Sequence, residues 1–164
     1  MDLTNQMPIA TKSSKIDISD QKSLLEVAGK LANLVDKGDI FLLYGQIGVG
    51  KTTFTRFLIN NLEIKNTLNK SDVLSPTFNI LNEYQINDLN IKHFDLYRIK
   101  NKKELINLGL FEEEESVKII EWPEILEPIK INKIEFHFSY SNDFKNRSLI
   151  ISTNYKNQII DEFK

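Results

Sequence analysis

The segment Ile40-Phe41-Leu42-Leu43-Tyr44-Gly45-Gln46-Ile47-Gly48-Val49-Gly50-Lys51-Thr52 changes character twice. It opens on an unbroken apolar run, Ile40 to Tyr44, the pattern of a strand buried on both faces of a sheet. Gly45 to Gly50 breaks that run. From Lys51 to about Leu62 a helix is predicted, with Phe54, Phe57 and Leu58 on its inward face. The residues between strand and helix fit G-x-x-x-x-G-K-[ST] in full. Glycines reach backbone angles closed to other residues, so several N–H groups can face one anion. The helix start adds its positive end. Lys51 places a cation between β- and γ-phosphates, and the Thr52 hydroxyl can bind Mg²⁺. Three of the chain's six glycines, Gly45, Gly48 and Gly50, lie in this loop. A chance match in a chain of this size is on the order of one in a few hundred. The segment therefore reads as a nucleoside triphosphate site.

Before this unit, Lys15 to Ile18 suits a short strand. Ser19 or Asp20 can cap a helix running to about Asp36, with Leu24, Val27, Ala28, Leu31, Leu34 and Val35 on one face. Beyond it, Glu63 to Ser71 is polar and loop-like. Val73 to Tyr84 is extended but interrupted by Pro76, and Asn87-Asp88 suits a turn into a strand from Leu89 to Leu96. Asn101 to Leu108 is helical, with Gly109 as its end cap. Val117 to Ile120 is a short strand. Ile134, Phe136 and Phe138, then Leu149, Ile151 and Thr153, alternate as a closing hairpin. The fold class is α/β: a single-domain P-loop NTPase fold, its mixed sheet carrying antiparallel hairpins and flanked by helices. A flexible tail is expected over residues 1–14 and the ATPase domain over 15–164.

Composition narrows the function. The chain has 164 residues, 41% hydrophobic and 27% charged, with a formal charge of −2. That length suits one domain with its own core. The balance predicts no broad cationic surface for gripping nucleic acid unaided. The absence of cysteine excludes a disulfide framework, a thiol nucleophile and cysteine metal sites. Met1 to Lys15 has no apolar stretch of signal-peptide length, and no apolar run approaches a membrane span. A cytoplasmic protein without membrane contact is the expectation.

An NTPase of this kind also needs an acid near Mg²⁺ and a group that orients the attacking water. Asp95 and Glu121 each end a predicted strand, and either reaches the phosphates if its strand neighbours the loop strand. Ser75-Pro76-Thr77 offers a hydroxyl, Thr77, on a stiffened extended segment. Trp122 follows Glu121 and, on its own, reads as core packing. The run Glu112 to Glu115 reads as a solvated helix end. His93 and His137 are assigned no role. Asn69-Lys70-Ser71-Asp72 fits the guanine-reading N-K-x-D pattern but sits in a polar loop with no buried strand before it, so ATP is preferred over GTP.

Taken together, Gly48-Val49-Gly50-Lys51-Thr52-Thr53-Phe54, Ser75-Pro76-Thr77-Phe78, His93-Phe94-Asp95-Leu96-Tyr97-Arg98 and Glu121-Trp122-Pro123-Glu124 resemble the TsaE (YjeE) family over nearly the whole chain. The resemblance implies a bacterial ATPase of tRNA threonylcarbamoyladenosine biosynthesis, with low activity alone. It implies TsaD and TsaB as partners, with tRNA met indirectly through that complex, and modification of adenosine 37 in tRNAs reading ANN codons. It implies a loop of Gly45, Gln46, Ile47, Gly48, Val49, Gly50, Lys51, Thr52 and Thr53 around ATP, with Trp122 beside it. It implies Mg²⁺ held by Thr52 and Glu121, with Asp95 acting on metal or water, and catalytic parts for Lys51, Asp95, Glu121 and Thr77. The resemblance leaves the division of roles between Asp95 and Glu121 open. Gln46 stands where the family commonly has Asp or Asn, and Val49 where it usually has Ala.

Two other readings fit the same residues. One is a nucleotide-gated binding module whose hydrolysis is incidental. The other is a small-molecule kinase, disfavoured because Arg56, Arg98 and Arg147 are scattered and form no lid.

Overall fold

The apolar run at Ile40–Tyr44 is strand β3, and it lies inside the sheet as its pattern requires. The computed structural model describes residues 9–164. In chain order, the elements before β3 are β1 (Thr11–Lys12), β2 (Ile16–Asp17) and α1 (Gln21–Ala32). After it come α2 (Lys51–Lys65), β4 (Leu81–Ile86), β5 (Leu89–Asp95), α3 (Lys102–Asn107) and β6 (Val117–Glu121). A 3₁₀ turn (Pro123–Leu126), β7 (Ile134–Tyr140), β8 (Arg147–Thr153) and α4 (Asn157–Asp161) complete the chain.

The sheet order is β1-β8-β7-β3-β6-β5-β4, with β2 also on β8. The inner strands β7, β3, β6 and β5 are parallel. Antiparallel hairpins, β4–β5 and β7–β8, flank them, and β1 and β2 pair antiparallel with β8 beyond. This is the mixed α/β sheet that the sequence predicts. Alternation along the strands feeds two apolar layers. Phe41, Leu43, Ile91, Ile119 and Phe136 pack under α1 and α2. Leu42, Phe94, Ile120 and Leu110 pack on the other face. Asp20 caps α1 by accepting from the Lys22 N–H at 3.0 Å. Among the described residues no helix is long and apolar enough to cross a membrane.

Several boundaries differ from the sequence reading. α1 stops at Ala32, short of Asp36, and α2 runs on to Lys65. Residues 1–8 of the expected tail lie outside the described residues. Within its remainder, Thr11–Lys12 pairs with β8, and the Ser14 hydroxyl donates to the Phe163 carbonyl at 2.9 Å. That segment borrows its order from a sheet edge, which no local pattern announces. α4 buries Ile159 and Ile160 in a helix too short for a helical period to be read.

Candidate functional site

The turn after β3 hugs its neighbour. Gly45 has φ 142°, and a Cβ there would lie 2.7 Å from the Phe138 carbonyl of β7. Only glycine admits that approach. Val49, 1% exposed, turns back into the core and anchors the loop from behind. Lys51 opens α2. Its ammonium donates to the Gly45 carbonyl at 2.5 Å and the Gln46 carbonyl at 3.0 Å, and stands 3.9 Å from the Trp122 ring centroid. Burial pushes the Lys51 ammonium pKa down, opposed by Glu121, Glu124 and Asp95.

Strand order answers the question that spacing left open. β6 is the direct neighbour of β3, with Leu43 opposite Glu121, whereas β5 lies one strand further, with Asp95 opposite Glu121. The two acids therefore sit side by side but serve different partners. The Thr52 hydroxyl donates to Glu121 Oε1 at 2.8 Å, with Oε2 at 3.1 Å. Asp95 Oδ2 accepts from Ser75 and Thr77, each at 2.8 Å, and its Oδ1 accepts the Tyr97 N–H at 3.0 Å. Pro76 is buried and pins the segment that carries both hydroxyls.

These groups line one cavity of about 310 Å³, with Gly48, Gly50, Lys51, Thr52, Thr53, Ser75, Thr77, Asp95, Glu121 and Trp122 in its wall and Ile47 and Tyr97 at its rim. Gly45 and Gln46 take part through their carbonyls only, and line a second cavity of about 370 Å³ with Tyr140, Asn142 and Phe144. Val49 faces neither. Asn69 to Asp72 is absent from the wall of the first cavity. Ser71 there is tied to Glu63 of α2, its N–H donating at 2.8 Å.

The donors that converge on the cavity are all oxygens, the Thr52 hydroxyl and the Glu121 carboxylate, with Asp95 next to them. That set suits Mg²⁺, a hard cation that keeps water and phosphate oxygens in its shell. Among the described residues no cluster of three or more His, Cys, Asp or Glu is placed to hold a metal, so any cation here would need further oxygens from a ligand.

Three residues of the quoted motifs stand at the site although the sequence gives them no role there. Ser75 is as close to Asp95 as Thr77 is. Tyr97 packs against Trp122 in a tilted arrangement, 4.8 Å between ring centroids. His93, assigned no role, is fully buried and places Nε2 2.9 Å from Glu121 Oε1. One signal was available: in a strand, His93 and Asp95 must share a face.

A parallel core, a glycine loop at the end of β3 and an acid at the end of the adjoining strand define an α/β protein with the P-loop NTPase fold. Residues 18–149 match the family model described as "Threonylcarbamoyl adenosine biosynthesis protein TsaE". The chain belongs to the TsaE family, as its four motifs suggest. It is 33% identical over 147 residues to the "tRNA threonylcarbamoyladenosine biosynthesis protein TsaE" of Rickettsia felis, covering 88% of this chain and 83% of that one. The protein of the same description from Haemophilus influenzae is 32% identical over 154 residues, covering 89% and 94%. The crystal structure of Bacillus subtilis YdiB superposes with a TM-score of 0.73 at 21% identity, covering 94% of this chain and 95% of that one. That likeness is one of fold.

Proposed function

We propose that this chain binds and hydrolyses ATP with Mg²⁺ in the cytoplasm, in support of threonylcarbamoylation of adenosine 37 in tRNAs reading ANN codons, alongside TsaB and TsaD. One observation carries the reading: Lys51 and Thr52 open α2, and Glu121, at the end of the adjoining strand, is within hydrogen-bond reach of Thr52. The family's relatives carry the biosynthetic role in their names.

In this reading the loop N–H groups and the start of α2 hold the phosphates. Lys51 exchanges two neutral carbonyls for charged phosphate oxygens, which are stronger partners for an ammonium. Thr52 and Glu121 would hold Mg²⁺, which would supply charge neutralisation for the phosphates. Asp95 fixes the Ser75 and Thr77 hydroxyls, and these three groups orient the attacking water. Trp122 and Tyr97 screen the phosphates from solvent. With a net charge of −2, the chain leaves tRNA to its partners.

A second reading, the nucleotide-gated module, draws on exposed apolar side chains near the site. Ile47 is 72% exposed and Phe78 85%, which suits a surface covered by a partner. The test is ATP turnover by the chain alone and with the TsaB–TsaD pair, with GTP as control. Weak turnover alone that rises with the pair supports the proposal. Vigorous turnover indifferent to the pair refutes the partnership. An Asp95→Asn variant that loses turnover yet sustains many rounds of tRNA modification favours the module.

A further inference from the structure

The geometry points to His93 as a positioning residue that holds Glu121 in its metal-binding orientation, an assignment that rests on the Mg²⁺–nucleotide reading above. Glu121 is 2% exposed, and a carboxylate so buried needs donors. It has two side-chain donors. The first, Thr52, is itself a proposed metal ligand. The second, His93, is 0% exposed and sits on β5 between Ile91 and Asp95, so it cannot touch nucleotide. Its Nε2 lies 2.9 Å from Glu121 Oε1.

The other ring nitrogen identifies what the imidazole is for. His93 Nδ1 is buried and has no hydrogen-bond partner. The proton therefore belongs on Nε2, facing Glu121, because a proton on Nδ1 would have no acceptor. A residue present only to fill the layer under α2 would be apolar, like its neighbours Ile91 and Ile119. Here a polar ring is kept with one nitrogen unsatisfied, and its single polar contact is the acid beside Thr52. Strand pairing makes the contact rigid: β5 and β6 run parallel, with His93 opposite Ile119 and Asp95 opposite Glu121. The His93 ring thus reaches Glu121 diagonally across one rung.

The experiment measures ATP binding across a Mg²⁺ titration, and in EDTA, for wild type, His93→Leu and His93→Gln. Leucine fills the volume without a donor, whereas the glutamine amide can present one near Nε2. Loss of such a partner costs ~10–100-fold in metal affinity. The expected result is that His93→Leu needs ~10–100-fold more Mg²⁺ for half-saturation, keeps wild-type affinity in EDTA, and that His93→Gln recovers most of the loss. Equal Mg²⁺ half-saturation in wild type and His93→Leu overturns the assignment. So does an equal loss in both variants that persists in EDTA, the mark of a packing role. If His93→Leu does not fold by circular dichroism, His93→Met replaces it against His93→Gln under the same criteria. A wild type whose ATP binding ignores Mg²⁺ overturns the underlying reading, and the assignment with it.

Discussion

The Lys51 ammonium lies against the face of Trp122, 3.9 Å from the ring centroid, and Trp122 takes a left-handed backbone, φ 57° and ψ 54°, to put the ring there. A non-glycine residue in that region costs about 1–2 kcal/mol. A cation over an indole returns about 1 kcal/mol or more. The strained backbone turns the chain out of β6 and into the 3₁₀ turn at Pro123–Leu126. Trp122 is the only tryptophan, so tryptophan fluorescence reports on this one site, where the ring meets both Lys51 and Tyr97. Adding Mg²⁺–ATP should draw Lys51 toward phosphate and change the emission. The change should be absent in Lys51→Ala; an unaltered wild-type spectrum at saturating ATP contradicts the account.

The hydroxyls on Asp95 carry a kinetic expectation. Thr77→Val removes a donor at nearly constant volume, leaving Asp95 Oδ2 with Ser75 and Oδ1 with the Tyr97 N–H. Since the proposed part of Thr77 is to help orient water, kcat should fall by about tenfold or more while KM moves little. Steady-state kinetics decide it. A raised KM with an unchanged kcat would make Thr77 a binding group instead.

At the other end of β3 lies a buried ion pair with no part in the chemistry. Lys156, 4% exposed, donates to Asp39 at 2.6 Å and Asp36 at 2.8 Å. Tyr155 donates to Asp39 at 2.6 Å, and burial pushes its phenol pKa up, with Asp39 adding to the rise. Removing one partner of such a pair costs about 3–5 kcal/mol. Lys156→Met should lose stability of that order in urea unfolding and still bind ATP as wild type does. A loss under 1 kcal/mol would show that the C-terminal segment is not clamped by this pair.

How much of this was legible beforehand varied with the range of the interaction. The β3–loop–α2 unit could be read because its signals are local: an apolar run, spaced glycines and an amphipathic helix. The hairpin at Asn87-Asp88 was legible for the same reason. The neighbourhood of Glu121 was not, because strand order is set by chain crossovers that leave no trace in spacing. Only the placement of β6 between β3 and β5 separates the partners of Glu121 from those of Asp95. Nothing local marks His93, because its partner lies 28 residues away on another strand. Thr11–Lys12 has the pattern of a tail because its order comes from β8.

Glu135 gives a pH expectation. His137 at 3.9 Å, the Lys133 ammonium at 2.9 Å and the Ser152 hydroxyl at 3.1 Å hold its carboxyl down to about 2, against an ordinary 4.5. A carboxyl lowered on folding stabilises the protein fully above its unfolded value and loses that contribution as pH falls toward the folded one. Glu135→Gln should therefore be less stable than wild type above pH 4.5, with the gap closing between 4.5 and about 2. Thermal melts across that range check it; a gap constant with pH would remove the charge from the explanation.

The central claim is that the cavity between the loop and the Asp95–Glu121 pair is a triphosphate site. Calorimetric titration of Mg²⁺–ATP into wild type and Lys51→Ala tests it most directly, with GTP as control and circular dichroism to confirm that both fold. Saturable binding to the wild type, preferring ATP and lost in Lys51→Ala, is the expected result. Binding of equal strength in both proteins, or none in the wild type, would contradict it.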